Sequence, residues 1–250
     1  MEKQKKQKWY NDGLSALFQK CLTPFYVLSK FFFKRSIIMV ACMSCDDGED
    51  VKKYKNTHDY VRCRTLGLLA DIFRNNNRGK DYKIAELGVF RGDFAARIQN
   101  EFQDEQLYLF DTFDGFPTED KALDIQKKFS KDSFEVSDFE STSVQLVLSK
   151  MKFPDNCHIC KGKFPLSVTD EHKQIKWGLV SLDVDLYQPT LEGLRFFYPS
   201  LLPGGFIMVH DYNNLEYAGV KKAVEDFENE VSYLHKIPIP DSRGSLIIVK

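Results

Sequence analysis

Five acidic residues and one histidine stand at the ends of apolar runs, the places where an open α/β sheet puts the side chains that do its chemistry. "AELGVFRGDFA" brings its run to an end at Glu86, "QLYLFDTF" at Asp111, "SLDVDLYQ" at Asp183 and Asp185, and "GGFIMVHDYNN" at His210 and Asp211. If each run is a strand, all six groups belong to the carboxyl edge of one sheet. Gly88 and Gly92 flank a tight turn that opens a helix, so the backbone can approach a ligand closely and the helix start can offer free N–H groups to an anion. The spacing is G-x-x-x-G and not the G-x-G-x-x-G of dinucleotide binders, which suits a smaller anionic end such as an amino-acid carboxylate. Asp111 follows Gly88 by 23 residues, close to the ~20 at which an acid accepts hydrogen bonds from ribose hydroxyls. Asp183, Asp211 and His210 as a third donor can converge on one divalent cation, and oxygen ligands suit magnesium or manganese. Because faces alternate along a strand, the expectation for His210 is a ring turned away from Asp211. Asp114 with Gly115, and Asn213 with Asn214, read as turn and cap formers.

The elements that must position these groups alternate. From Asp59 a helix runs through "DYVRCRTLGLLADIFRNN", with Leu66, Leu68, Leu69, Ile72 and Phe73 as its apolar side. Strands "YKIAELGV", "QLYLFDTF", "CHICKG", "WGLVSLDVD" and "GGFIMVHDY" then alternate with helical segments, and the close, "HKIPIPDSRGSLIIVK", reads as a hairpin. Nearly continuous apolar strands separated by helices define an α/β fold, a doubly wound, mostly parallel sheet covered on both faces.

At 250 residues, with 43% hydrophobic and 28% charged, the chain can bury one sizeable core. Residues 58–250 form the expected catalytic domain, and residues 1–57 a helical N-terminal accessory arm. The formal net charge of −1 supplies no field for nucleic acid. The arm is basic and aromatic, which suits peripheral membrane contact or burial against a second copy in a homo-oligomer. Charged residues interrupt its apolar run "FYVLSKFFFKRSIIMVA", so it does not read as a spanning helix, and the expected location is cytoplasmic. Six cysteines include Cys42/Cys45 and Cys157/Cys160; "CHIC" lies on a strand, where period two sends its sulfurs to opposite faces and argues for free thiols rather than zinc.

Taken together, "AELGVFRGDFA", "LFDTFDGFP", "SLDVDLYQPTLEGLRFFYPSLLPGGFIMVHDY" and "GVKKAVEDF" resemble the macrocin O-methyltransferase family. The resemblance implies the class I methyltransferase fold, Rossmann-like, with strand order 3-2-1-4-5-7-6 and an antiparallel last strand. It implies S-adenosylmethionine as cofactor, magnesium nearby, and a sugar hydroxyl on a small molecule as acceptor. Carried over, Glu86, Gly88 and Gly92 line the methionine end, Asp111 holds the ribose, Gly162 and Lys163 pass near the adenine, and Asp183 and Asp211 bind metal. The family often has a second aspartate where this chain has His210, and imidazole is a poor magnesium ligand, which bears on the choice of metal.

The sulfonium methyl is already activated, so the protein must align an oxygen nucleophile and help remove its proton. Asp183 and His210 are the candidate proton acceptors, with His58 a weaker one. Two rivals are a nicotinamide-dependent oxidoreductase, against which the absent G-x-G-x-x-G counts, and a catalytically idle cofactor-binding partner protein.

Overall fold

The computed structural model describes residues 59–130 and 141–250. The N-terminal arm, with Cys42 and Cys45, and the adjoining His58 lie outside the described residues. Among those described, no helix is long and apolar enough to cross a membrane.

The chain enters through α1 (Tyr60–Asn76), then alternates β1 (Lys83–Leu87), α2 (Asp93–Glu101), β2 (Leu107–Asp111), α3 (Thr118–Gln126), α4 (Val144–Lys150), β3 (Cys157–Lys161), β4 (Trp177–Leu182), α5 (Tyr187–Ser200), β5 (Leu201–Val209) and α6 (Ala218–Val231). It closes with β6 (His235–Pro238) and β7 (Leu246–Val249). The seven strands are ordered β3-β2-β1-β4-β5-β7-β6. The first five pair in parallel, whereas β7 runs antiparallel to both β5 and β6. This is the class I methyltransferase architecture that the sequence leads one to expect.

β4 sits at the centre, and all six of its residues are buried, because helices cover both faces of a parallel sheet. Side chains alternate across it. Val180 and Leu182 join Trp177, Leu194 and Phe197 under α5 and α6, while Leu179 joins Leu66, Phe73 and Ile98 under α1 and α2. Burying each such side chain contributes about 1.5–3 kcal/mol. The same alternation sends Cys157 and Cys160 into opposite layers, and both are free thiols.

The buried side of α1 differs from the sequence expectation. Cys63, Leu66, Gly67, Ala70 and Phe73 face inward, whereas Leu68 and Ile72 are 47% and 59% exposed. Successive helical positions diverge by about 100°, so Leu66, Leu68, Leu69 and Ile72 cannot all face the sheet; the sheet takes the set spaced by three and four. Arg62 continues that inward stripe by one turn, and Asp59 caps the helix by accepting the Arg62 backbone N–H at 3.0 Å.

Candidate active site

The carboxyl ends of β1, β2 and β4 open into a cavity of about 290 Å³, the size at which a protein begins to hold a small organic ligand. Its floor is the β1–α2 turn. Gly88 has φ +86°, and a Cβ there would overlap the backbone carbonyl oxygen of Asp183, so only glycine lets β1 and β4 approach this closely. Glu86, Gly88, Asp111, Gly162 and Asp183 all line the cavity.

Asp111 does more than the spacing argument assigned to it. Its Oδ2 accepts the N–H groups of Val89 and Phe90 at 2.6 and 2.9 Å, and its Oδ1 accepts that of Phe113 at 2.7 Å. The carboxylate therefore fixes the turn that forms the floor, and the two amides at the apex are already occupied. Gly92 stands off the cavity: it begins α2 with φ +78°, and a Cβ there would press on Val147 and Met151 of the α4 region, so what it serves is helix packing. Lys163 also stands outside the cavity lining. It pairs with Glu119 and Asp120 of α3, both at 3.1 Å, and Asp120 is itself a lining residue.

At the other wall, Asp183, Asp185, His210 and Asp211 bring one ligand atom each to within 4.8 Å of one another. Nδ1 of His210 lies 2.8 Å from Asp183 Oδ1 and 2.6 Å from Asp211 Oδ2, yet neither oxygen lies along the direction a ring N–H needs for a hydrogen bond. His210 thus faces its neighbour instead of turning away. β5 ends at Val209, and Asp211 adopts a left-handed φ of 57°, so strand alternation no longer governs the pair. Asn214 caps the turn that follows by accepting the Glu216 N–H at 3.0 Å, and it donates to Asp211 Oδ1 at 2.5 Å.

The electrostatics are those of crowded buried charge. Burial pushes the Asp183 carboxyl up, but His210 and Arg62 outweigh it and hold the group well below the usual carboxylate range. Burial, then the charges of Asp183 and Asp211, drive Asp185 well above that range. Burial alone would lower His210, but Asp183 above all carries it up to about 10. A divalent cation fits this set: three carboxylates and a buried nitrogen without a hydrogen-bond partner converge on one point, and a cation there would relieve the repulsion that raises Asp185.

Two further residues were not singled out as ligands or partners in the sequence. Asp185 sits two positions beyond Asp183, past the end of β4, where its left-handed φ of 60° brings it into the cluster. Arg62, from α1, donates from Nη1 to Asp183 Oδ2 at 3.0 Å and from Nη2 to Ser181 Oγ at 3.4 Å. The signal for Arg62 was a charged residue on the inward stripe of a helix.

A mostly parallel seven-stranded sheet with an antiparallel last strand, and a ligand cavity at its carboxyl edge, define a class I methyltransferase fold. The macrocin O-methyltransferase (TylF) family model matches residues 62–243. The chain belongs to that family and is an S-adenosylmethionine-dependent O-methyltransferase. Among solved structures it is similar to the O-methyltransferase NovP, at 19% identity over 76% of this chain and 80% of that one, with a TM-score of 0.59. It is also similar to CalS11, a calicheamicin methyltransferase, at 16% identity over 84% and 94%, with a TM-score of 0.56. None of the curated proteins matches the sequence. Family membership leaves neither the oxidoreductase nor the idle partner protein standing.

Proposed function

We propose that this enzyme methylates a hydroxyl of a sugar or glycosylated small molecule, assisted by a divalent cation held by Asp183, His210 and Asp211 with Asp185 beside them. The observation that carries the reading is the position of Asp183, which lines the cavity and also belongs to the ligand cluster. The acceptor class is supported by likeness to CalS11, described in a second structure as a TDP-rhamnose 3'-O-methyltransferase, at 16% identity, covering 82% and 88% of the two chains, with a TM-score of 0.51.

S-adenosylmethionine brings an activated methyl group, and a divalent ion, when bound, lowers the acceptor hydroxyl's pKa and fixes its position. The chain does the rest. The Gly88 turn and Asp111 hold the cofactor against the sheet edge. Asp183, kept ionised by Arg62 and His210, is the carboxylate placed to take the hydroxyl proton. Gly162 and the Lys163–Asp120 pair border the adenine end. A nitrogen ligand favours manganese or a later transition ion over magnesium. Residues 58–250 constitute the catalytic domain and residues 1–57 an accessory arm whose basic, aromatic composition suits a membrane surface or a homo-oligomer. A cytoplasmic location suits the free thiols of Cys63, Cys157 and Cys160.

The test is methyl transfer to a panel of nucleotide sugars and glycosides after chelation, with magnesium or manganese added back, for wild type, Asp211→Asn and His210→Asp. The expected result is loss in chelator, recovery best with manganese, and a shift toward magnesium in His210→Asp. Full activity in chelator shows a metal-free enzyme.

A further inference from the structure

Helix α5 begins without a cap of its own. Leu186 stands just before it and offers no side-chain oxygen to the first turn, whose N–H groups have no partner within the helix. The acceptor comes instead from 63 residues away: both oxygens of Asp124, on α3, lie on the Tyr187 N–H, at 3.1 and 3.3 Å. Asp124 is completely buried and stands behind the cavity lining, not on it.

A buried carboxyl is a costly acceptor for one N–H, and the fold makes room for it. A Cβ on Gly219, at the start of α6, would come within 2.7 Å of Asp124 Oδ2 and 3.0 Å of Tyr187 Cβ, so α3, α5 and α6 converge here because that atom is missing. Ser130 Oγ donates to the same Oδ2 at 3.5 Å, the Phe129 and Tyr187 ring centroids are 5.3 Å apart, and the Tyr187 hydroxyl donates to Asp226 of α6 at 2.9 Å. Burial pushes the Asp124 carboxyl up to about 6, so at pH 7 it is mostly ionised and also meets the positive end of the α5 dipole.

What hangs from this contact is the segment that joins β4 to α5. Asp183, Val184, Asp185 and Leu186 all line the cavity, and two of them belong to the ligand cluster. The segment is tightly wound: Asp185 has its left-handed φ of 60°, and the Leu186 N–H reaches the Val184 carbonyl at 2.6 Å. Such backbone persists where its surroundings over-determine it. One end is fixed by the Asp183 N–H, which donates to the Leu87 carbonyl of β1 at 2.9 Å, and the other by Asp124.

We propose that Asp124 is a positioning residue for methyl transfer: by holding the first turn of α5 it fixes the wound Asp183–Leu186 segment, and so sets where the Asp183 and Asp185 carboxylates stand. The proposal rests on the reading that these carboxylates serve the acceptor and its cation. It also joins α3, which lines the cavity through Asp120, to the wall that carries Asp183.

The experiment combines amide hydrogen exchange with manganese titration followed by electron paramagnetic resonance. It uses full-chain wild type, Asp124→Leu, Asp124→Asn and Gly219→Ala, at pH 7 with S-adenosylhomocysteine present. In Asp124→Leu, exchange within residues 183–190 should rise about ten- to a hundredfold while β1 and β2 stay as they are. Manganese affinity should fall by about the same factor. Asp124→Asn still accepts the Tyr187 N–H and should restore both to within about threefold of wild type. Gly219→Ala presses on the same carboxyl and should give the Asp124→Leu pattern, which keeps the test if Asp124→Leu does not fold. Unchanged exchange at 183–190 in these two variants overturns the proposal, and so does local loosening with unchanged manganese affinity. A rise spread equally over β1, β2 and α5 also overturns it, since it marks a residue that serves the fold at large. Absence of manganese binding by wild type contradicts the metal reading beneath it, and the exchange at 183–190 then decides alone whether Asp124 holds the segment.

Discussion

Gly88 is the residue whose substitution the structure forbids most firmly. Its φ of +86° and the overlap of any Cβ with the Asp183 carbonyl mean that Gly88→Ala must displace β1 from β4. The expected cost is about 3 kcal/mol or more, with loss of S-adenosylhomocysteine binding; thermal denaturation and calorimetry check both, and an unchanged melting temperature contradicts the close approach. Asp111→Asn should weaken S-adenosylhomocysteine by about 1–3 kcal/mol, since an amide oxygen can keep the Val89 and Phe90 contacts but the –NH2 cannot accept from Phe113 and the charge offered to the ribose is lost. Unchanged affinity in the same titration removes Asp111 from the site. The position of Glu86, Gly88, Asp111, Asp183 and Asp211 along one edge was legible because strand ends mark one edge of an open sheet. Arg62 was not legible as a partner of Asp183, since 121 residues separate them and only the packing of α1 brings them together. The direction of His210 was hidden for another reason: it depends on the left-handed backbone at Asp211, which no alternation rule supplies.

Among the elements, α3 is the one the pattern did not show, because "TEDKALDIQ" is too polar to display an apolar stripe. What it buries is acid. Asp120 and Asp124 are its inward residues, and Asp124 accepts the Tyr187 N–H at 3.1 Å, closing the first turn of α5. Burial pushes the Asp124 carboxyl up to about 6 against an ordinary 3.8. A carboxyl raised on folding binds its proton more tightly in the native state. Its contribution to stability is therefore fully present below 3.8 and lost as the pH rises through about 6. Asp124→Asn keeps an acceptor for Tyr187 without the charge. Relative to this variant, wild type should lose on the order of 2 kcal/mol between pH 4 and pH 7. Denaturant titrations at the two pH values measure it, and parallel profiles for the two proteins contradict it. The helices and strands that carry strong periodicity were legible; the buried side of α1 was misread because adjacent leucines were counted together.

At the scale of the molecule, the strand order and the antiparallel return follow from the family resemblance and the closing hairpin, and the structure has both. Sheet, cavity and ligand cluster are built from residues within 59–250, so a chain truncated to begin at Asn56 should bind S-adenosylhomocysteine as the intact chain does. It should differ from it in methyl transfer or in oligomeric state by light scattering. A truncated chain equal to the intact one in both respects removes the arm from the account. The central claim is that one cavity presents S-adenosylmethionine to an acceptor beside Asp183. Diffraction at the manganese edge, from crystals grown with S-adenosylhomocysteine and manganese, tests it most directly. The account predicts an anomalous peak among Asp183, His210 and Asp211, with the ligand's sulfur turned toward Asp183 and its ribose at Asp111. A ligand outside the cavity, or one whose sulfur points away from Asp183, contradicts it.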